Sequence, residues 1–163
     1  NLETLIKEIE DVVKNSFKEA YDEIDKNFNY MCKEILNNSI GNLSLLDETD
    51  LLESGVELMV KFKNKKYQSL SLLSGGEKSM VAVALIMAIF MYKPSPFTFF
   101  DEIEAALDES NTKRLLRKLK EFTDRSQFIL ITHNKHTMKE SDQLYGVTMN
   151  KEIGESKILS VVL

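Results

Sequence analysis

Over the first 36 residues the apolar positions fall at Leu2, Leu5, Ile6, Ile9, Val12, Val13, Phe17, Ala20, Tyr21, Ile24, Phe28, Met31 and Ile35. Steps of three and four draw one apolar stripe along a helix of about 35 residues, with charges on the other face. No Gly or Pro interrupts it. So long a helix exceeds the globular average, and its first part is expected to pack as a coiled coil against a segment absent from this chain. The alternative is a surface helix lying on its own domain. The turn-forming run "NNSIGN", residues 37–42, ends the helix.

A two-residue period then takes over. "LSLL" (43–46) and "VELMVKF" (56–62) read as strands, the second alternating at Val56, Leu58, Val60 and Phe62, with "ESG" turning the chain before it. After the charged "KNKKYQ", an apolar run predicts a helix that starts at Ser74-Gly75-Gly76-Glu77 and is closed by Pro94 and Pro96. "FTFF" (97–100) and "QFILIT" (127–132) are wholly apolar strands separated by a helix, "ESNTKRLLRKLKEF", with a Ser/Asn start. Apolar strands alternating with helices predict an α/β fold whose parallel sheet is covered on both faces. "QLYGVTM" (143–149) and "KILSVVL" (157–163), joined by the turn in "NKEIGES", predict a terminal β-hairpin. Two parts are expected: a helix over residues 1–38 and an α/β lobe over residues 39–163.

Composition narrows the function. A net charge of -5 and a pI near 5.2 exclude a globally basic nucleic-acid binder, though not a local basic patch. The single cysteine, Cys32, offers neither a disulfide framework nor a CxxC metal pattern and reads as a packing residue. The longest apolar run, Met80 to Tyr92, falls short of the roughly 20 residues of a membrane span, and the N-terminus has no signal-like apolar core. A soluble cytoplasmic protein is expected. The chain opens in mid-pattern without an initiator methionine, and is read as a segment of a longer protein.

Candidate chemistry lies at the strand ends. In a parallel sheet with right-handed crossovers the carboxyl ends of the strands share one edge, where ligands bind. One apolar strand ends in Asp101-Glu102 and the other in Thr132-His133. As neighbours they would bring two carboxylates and an imidazole together. Adjacent carboxylates at an apolar strand end repel and lose hydration unless a cation or a reacting water uses them. One carboxylate on a Mg2+ shell and one polarising water is the natural division. In the plainer reading Asp101 caps the next helix and His133 bonds to a loop. Mg2+ and phosphate chemistry asks for a GxxxxGK[ST] cradle, and the chain has none. "SGGEKS" does open a helix whose first N–H groups favour an anion, and it equally reads as a capping box with Ser74 as N-cap and Glu77 at the third position.

"LSLLSGGEK", "PSPFTFFDEIEAALD", "QFILITHN" and "YGVTM", in this order, resemble the C-terminal half of the ATPase head of the structural maintenance of chromosomes (SMC) family, in its prokaryotic form. The resemblance covers about residues 39–163, and the preceding helix suits the incoming coiled-coil arm. It implies an ABC-type ATPase lobe in which two heads sandwich ATP. Ser74, Gly75 and Gly76 would be the signature motif facing a nucleotide held by the other head's P-loop, and Asp108 the D-loop aspartate at the head-head interface. Asp101 would be the Walker B ligand of Mg2+, Glu102 the general base and His133 the switch histidine near the γ-phosphate. Glu104 stands where aspartate is common in the family and is expected to point past the site.

The family's P-loop and Q-loop lie in its N-terminal half, so this chain alone is expected to be inactive. Implied partners are that N-terminal half, a second head in a homodimer, a kleisin subunit and DNA, with no membrane. The kleisin would meet the outer face of the head through either "VELMVKF" or "KILSVVL". The implied role is chromosome condensation and segregation at the nucleoid. The competing readings are the head of a related coiled-coil DNA-repair ATPase, which "PSPF" and "GVTM" disfavour, and a non-catalytic interaction module. A transporter nucleotide domain would carry its own P-loop and has no place for the long helix.

Overall fold

The computed structural model describes residues 2–150 and 153–161. Helix α1, Leu2–Ile35, is continuous for 34 residues. It stops where Asn37 (φ 56°) and Asn38 (φ 60°) turn left-handed, and Asn38 N–H donates to the Lys33 carbonyl at 3.0 Å. Asparagine tolerates that conformation better than other non-glycine residues. The turn is shorter than the sequence suggests: Ile40, Gly41 and Asn42 already belong to strand β1, Ile40–Leu45. Gly41 explains this. A Cβ there would lie 2.4 Å from Cys32 Sγ and 2.8 Å from Phe28 Cε1, so only glycine lets the strand lie directly on α1.

Strand β1 pairs antiparallel with β2, Val56–Lys61, which pairs in turn with the short β3, Gln68–Ser69. Tyr21 ties this sheet to α1 by donating its hydroxyl to the Leu43 carbonyl at 2.7 Å. Helix α2, Gly75–Tyr92, follows and packs across α1, burying Val81, Ala84, Met87 and Ala88 with Phe28, Met31 and Cys32. Burial pushes the Cys32 thiol up to about 12, which makes it an inert core residue. By length and composition α2 would pass for a membrane span, with a mean hydropathy of 1.4 over 18 residues. Its buried stripe is instead the centre of the protein core.

The remaining elements are β4 (Phe97–Asp101), α3 (Glu109–Lys120), β5 (Gln127–Ile131), α4 (Lys135–Glu140), β6 (Leu144–Asn150) and β7 (Glu155–Val161). Strands β4 and β5 pair in parallel from Phe97↔Gln127 to Asp101↔Ile131. Phe100 and Phe128 stack with centroids 6.0 Å apart, and Phe128 lies 5.4 Å from Phe90 of α2. The opposite face is bare: Phe97, Phe99, Ile129 and Ile131 are 37% to 62% exposed. The expected cover on both faces is therefore present on one, and the other stands exposed among the described residues. Strands β6 and β7 form their own antiparallel hairpin, with no ladder to β4 or β5 among the described residues.

One polar knot joins α3 to the base of α1. Lys118 Nζ is buried and meets Glu34 at 2.9 Å, Glu121 at 2.7 Å and the Tyr30 hydroxyl at 2.9 Å. Burial opposes its charge, yet the bonds to Glu121, Tyr30 and Glu34 outweigh it and hold its pKa above the ordinary lysine value. The outer half of α1 has no such ties. Leu2, Leu5, Ile6, Ile9, Val12 and Val13 are all exposed.

Gly41→Ala is expected to lower the unfolding free energy by about 1–3 kcal/mol in a urea titration, the usual cost of overpacking. Adding Cys32→Ala should recover part of that loss by removing the sulfur that the new methyl would meet.

Candidate functional site

The parallel register sets the site. Asp101 lies opposite Ile131, so Glu102 and Thr132-His133 leave the sheet at the same carboxyl edge. Glu102 N–H extends the ladder by donating to the Ile131 carbonyl at 2.9 Å. Its φ of 45° is left-handed, a conformation that costs a non-glycine side chain on the order of 1–3 kcal/mol and clusters at functional sites. There its Oε1 lies 3.1 Å from His133 Nδ1, hydrogen-bond distance with Nδ1–H as donor. His133 thus bonds to a carboxylate rather than to a loop.

The Asp101 carboxylate makes no hydrogen bond or ion pair among the described residues and does not cap the next helix. That task belongs to Asp108, whose Oδ1 accepts the Asn111 N–H at 2.8 Å, so α3 starts earlier than the Ser/Asn start implied. No three His, Cys, Asp or Glu side chains gather as a metal cage among the described residues. Mg2+ does not need one: it keeps several waters and takes one or two carboxylates plus phosphate oxygens. The free carboxylate of Asp101 suits a share of such a shell.

Glu104 lies past the Glu102–His133 pair, its carboxylate bonded to neither. It turns inward and is only 4% exposed. Its Oε1 accepts the Thr132 hydroxyl in a very short bond and the Thr137 hydroxyl at 2.8 Å, while Oε2 is buried without a partner. Thr132 Oγ1 also accepts the Asn134 N–H at 2.9 Å, and Asn134 caps α4 by accepting the His136 N–H at 2.8 Å. Sequence reasoning missed Thr137 and the second role of Thr132. The available signal was two hydroxyls bracketing His133.

The start of α2 is a capping box. Ser74 Oγ accepts the Glu77 N–H at 3.4 Å, and Glu77 Oε2 accepts the Ser74 N–H at 3.0 Å. Lys65 holds the other Glu77 oxygen at 3.0 Å. The bond from Ser74 N–H, then the one from Lys65, keeps the Glu77 carboxyl below its ordinary pKa. The box leaves the N–H groups of Gly75 and Gly76 without a partner among the described residues, and a Cβ on Gly75 would meet nothing within 4 Å. Two donors at a positive helix end, with open space before them, suit an anion. Gly76 is next to the 102–108 loop, since a Cβ there would lie 3.6 Å from the Ala106 carbonyl. No hydrogen bond or ion pair among the described residues links Ser74, Gly75 or Gly76 to Glu102 or His133.

The family model for the RecF/RecN/SMC N terminal domain matches residues 7–155. The chain belongs to this family. Within it, the chromosome partition protein Smc of Fusobacterium nucleatum subsp. nucleatum is 66% identical over 156 residues, which make up 96% of this chain and 13% of that protein. The chain thus spans a small fraction of such relatives. A structure solved in work on the ATP-driven dimerization and DNA-stimulated activation of SMC ATPases aligns with a TM-score of 0.82 at 34% identity, over 91% of this chain and 89% of that one. The Smc head domain of Pyrococcus furiosus, with an extended coiled coil and bound to the C-terminal domain of ScpA, aligns at a TM-score of 0.86 and 36% identity. That match covers 98% of this chain and 39% of the other. The fold is that of an SMC head.

Because the folded pKa of Glu77 is depressed, its share of stability is present above the ordinary value, about 4.3, and is lost as pH falls through the lower folded value. Thermal unfolding followed from pH 6 to pH 3 is expected to show a smaller acid loss for Glu77→Gln than for the parent chain.

Proposed function

We propose that the chain is the C-terminal half of an SMC ATPase head, residues 39–163, entered by the base of a coiled-coil arm, residues 1–38. It hydrolyses ATP only when completed by the P-loop half of its own protein and by a second head. The observation that carries this is the Glu102–His133 pair beside the unpartnered Asp101 at a parallel strand edge, in a chain without any phosphate cradle.

In this reading Glu102 takes a proton from the attacking water, and His133, held on Glu102, faces the γ-phosphate. Asp101 would share in holding Mg2+, which supplies charge to neutralise the phosphate oxygens. The Gly75 and Gly76 N–H groups, with Ser74, bind the phosphate of the nucleotide on the opposing head, and Asp108 lies at that interface. Those helix-end donors gain a partner only when heads meet with ATP, so engagement depends on nucleotide and is released after hydrolysis.

Two bare surfaces support an incomplete lobe. The exposed face of β4–β5 suits the P-loop half, and the outer stripe of α1 suits the returning arm of the coiled coil. For a kleisin subunit the β6–β7 hairpin is the better surface, since β2 is paired with β1 along its length and with β3 at Met59 and Val60, while Ile158 and Leu159 of β7 are exposed. The Pyrococcus relative is described bound to ScpA, in keeping with such a partner. The whole protein would act in chromosome condensation and segregation, on DNA at the nucleoid.

Mixing the chain with the P-loop half of the same protein is expected to produce ATP hydrolysis and ATP-dependent dimers that neither piece gives alone, and Ser74→Arg should abolish both. In the reconstituted head Glu102→Gln should slow hydrolysis by about a hundredfold or more while ATP binding persists and engaged dimers accumulate. A mixture of two folded pieces that stays inactive and monomeric would overturn the reading.

A further inference from the structure

The buried carboxylate of Glu104 has no place in the roles above. A carboxylate that is 4% exposed, with two hydroxyl donors on one oxygen and none on the other, is a costly group to keep inside a protein. Its position suggests what the cost secures. Glu104 belongs to the loop that leaves β4, two residues after Glu102. Its two donors belong to the segment that leaves β5: Thr132 immediately before His133, and Thr137 in α4 beyond it. One oxygen therefore grips the β5 segment on both sides of the histidine. Thr132 passes the constraint on, because the oxygen that donates to Glu104 also accepts the Asn134 N–H on the other side of His133.

The groups so held are otherwise loose. The side chains of His133 and Glu102 are 78% and 53% exposed, and their one mutual contact is the 3.1 Å bond. An exposed pair of that kind has little intrinsic strength and is screened by water. Glu102 moreover occupies a strained left-handed backbone that would relax if its loop were freed. Packing around the pair does not fix its geometry; the bonds beneath it do.

We propose that Glu104 is a positioning residue, a buried clamp that joins the loops after β4 and β5 through Thr132 and Thr137 and so holds His133 against Glu102. This rests on the ATPase reading for its kinetic consequence, but not for its structural one. The clamp works by acceptor geometry rather than by charge reaching the nucleotide. An amide oxygen in the same place would still receive both hydroxyls.

The test uses the complete head, reconstituted with its P-loop half, and the variants Glu104→Ala, Glu104→Gln, Thr132→Val and Thr132→Ser. Glu104→Ala and Thr132→Val should lower kcat about ten- to a hundredfold, as expected for misplacement near 1 Å, with the ATP dissociation constant unchanged. Glu104→Gln and Thr132→Ser should restore most of the rate. The double variant Glu104→Ala/Thr132→Val should be no slower than Glu104→Ala alone, because the two residues act as one unit. A purely structural role would instead lower Tm and weaken ATP binding in step with kcat. A Glu104→Gln head as slow as Glu104→Ala would show that charge, not acceptor geometry, is needed, and would overturn the clamp.

Crystal structures of the parent and Thr132→Val heads give a readout independent of hydrolysis. The His133 Nδ1 to Glu102 Oε1 distance should open from hydrogen-bond contact in the variant. An unchanged distance overturns the clamp whatever the kinetics show. A Glu102→Gln control that hydrolyses at the parent rate would instead remove the ATPase reading and leave the structural result standing.

Discussion

Five residue pairs of parallel ladder between β4 and β5 determine where Asp101, Glu102 and His133 lie. Parallel pairing places both carboxyl ends on one edge, and the register of Asp101 opposite Ile131 brings the two exits level. A slip of β5 by one residue would separate Glu102 from His133 and also turn Phe128 away from Phe100 and the core, since side chains alternate between faces. The same packing that stabilises the strands therefore fixes the spacing of the site. Phe90 of α2 contacts Phe128 from below, which couples the helix bearing the Ser74 capping box to the strands bearing the carboxylates.

Much of the apolar surface stands uncovered among the described residues. The core is concentrated where α1, α2 and β1 meet, while apolar side chains stand exposed on the outer stripe of α1, on one face of β4–β5 and on the hairpin. Contiguous apolar surface of this kind marks interaction sites in soluble proteins. A chain that spans 13% of its Fusobacterium relative is expected to show such edges. The buried Lys118 knot fastens α3, whose first turn is capped by Asp108, to the base of α1.

The long helix, the two apolar strands and the capping box were all legible, because each follows from periodicity or from local bonding within four residues. The juxtaposition of Glu102 and His133 was legible only through the assumption that the two apolar strands were neighbours, which the ladder bears out. Other features depend on contacts that no local pattern encodes. The left-handed φ of Glu102 accompanies its bond to Ile131 across the sheet, and the early start of β1 accompanies the fit of Gly41 against Cys32. The grip of Glu104 on Thr132 and Thr137 is likewise not legible, because its own spacing says nothing about two threonines that lie beyond the next strand. The uncovered face of β4–β5 was invisible for a related reason: wholly apolar strands show that both faces are to be buried, not which chain buries them.

Service of a nucleotide held by another head is the role proposed for the Ser74 end of α2. It is tested most directly by mixing two complete heads, one carrying Ser74→Arg and the other a disabled P-loop in its N-terminal half, and measuring ATP hydrolysis. Each parent has two defective sites, but the mixed pair regains one intact site if the signature acts in trans. The account predicts inactive parents and an active mixture. A mixture as inactive as its parents, with mixed dimers formed, would mean that Ser74 serves its own head's nucleotide and would contradict it.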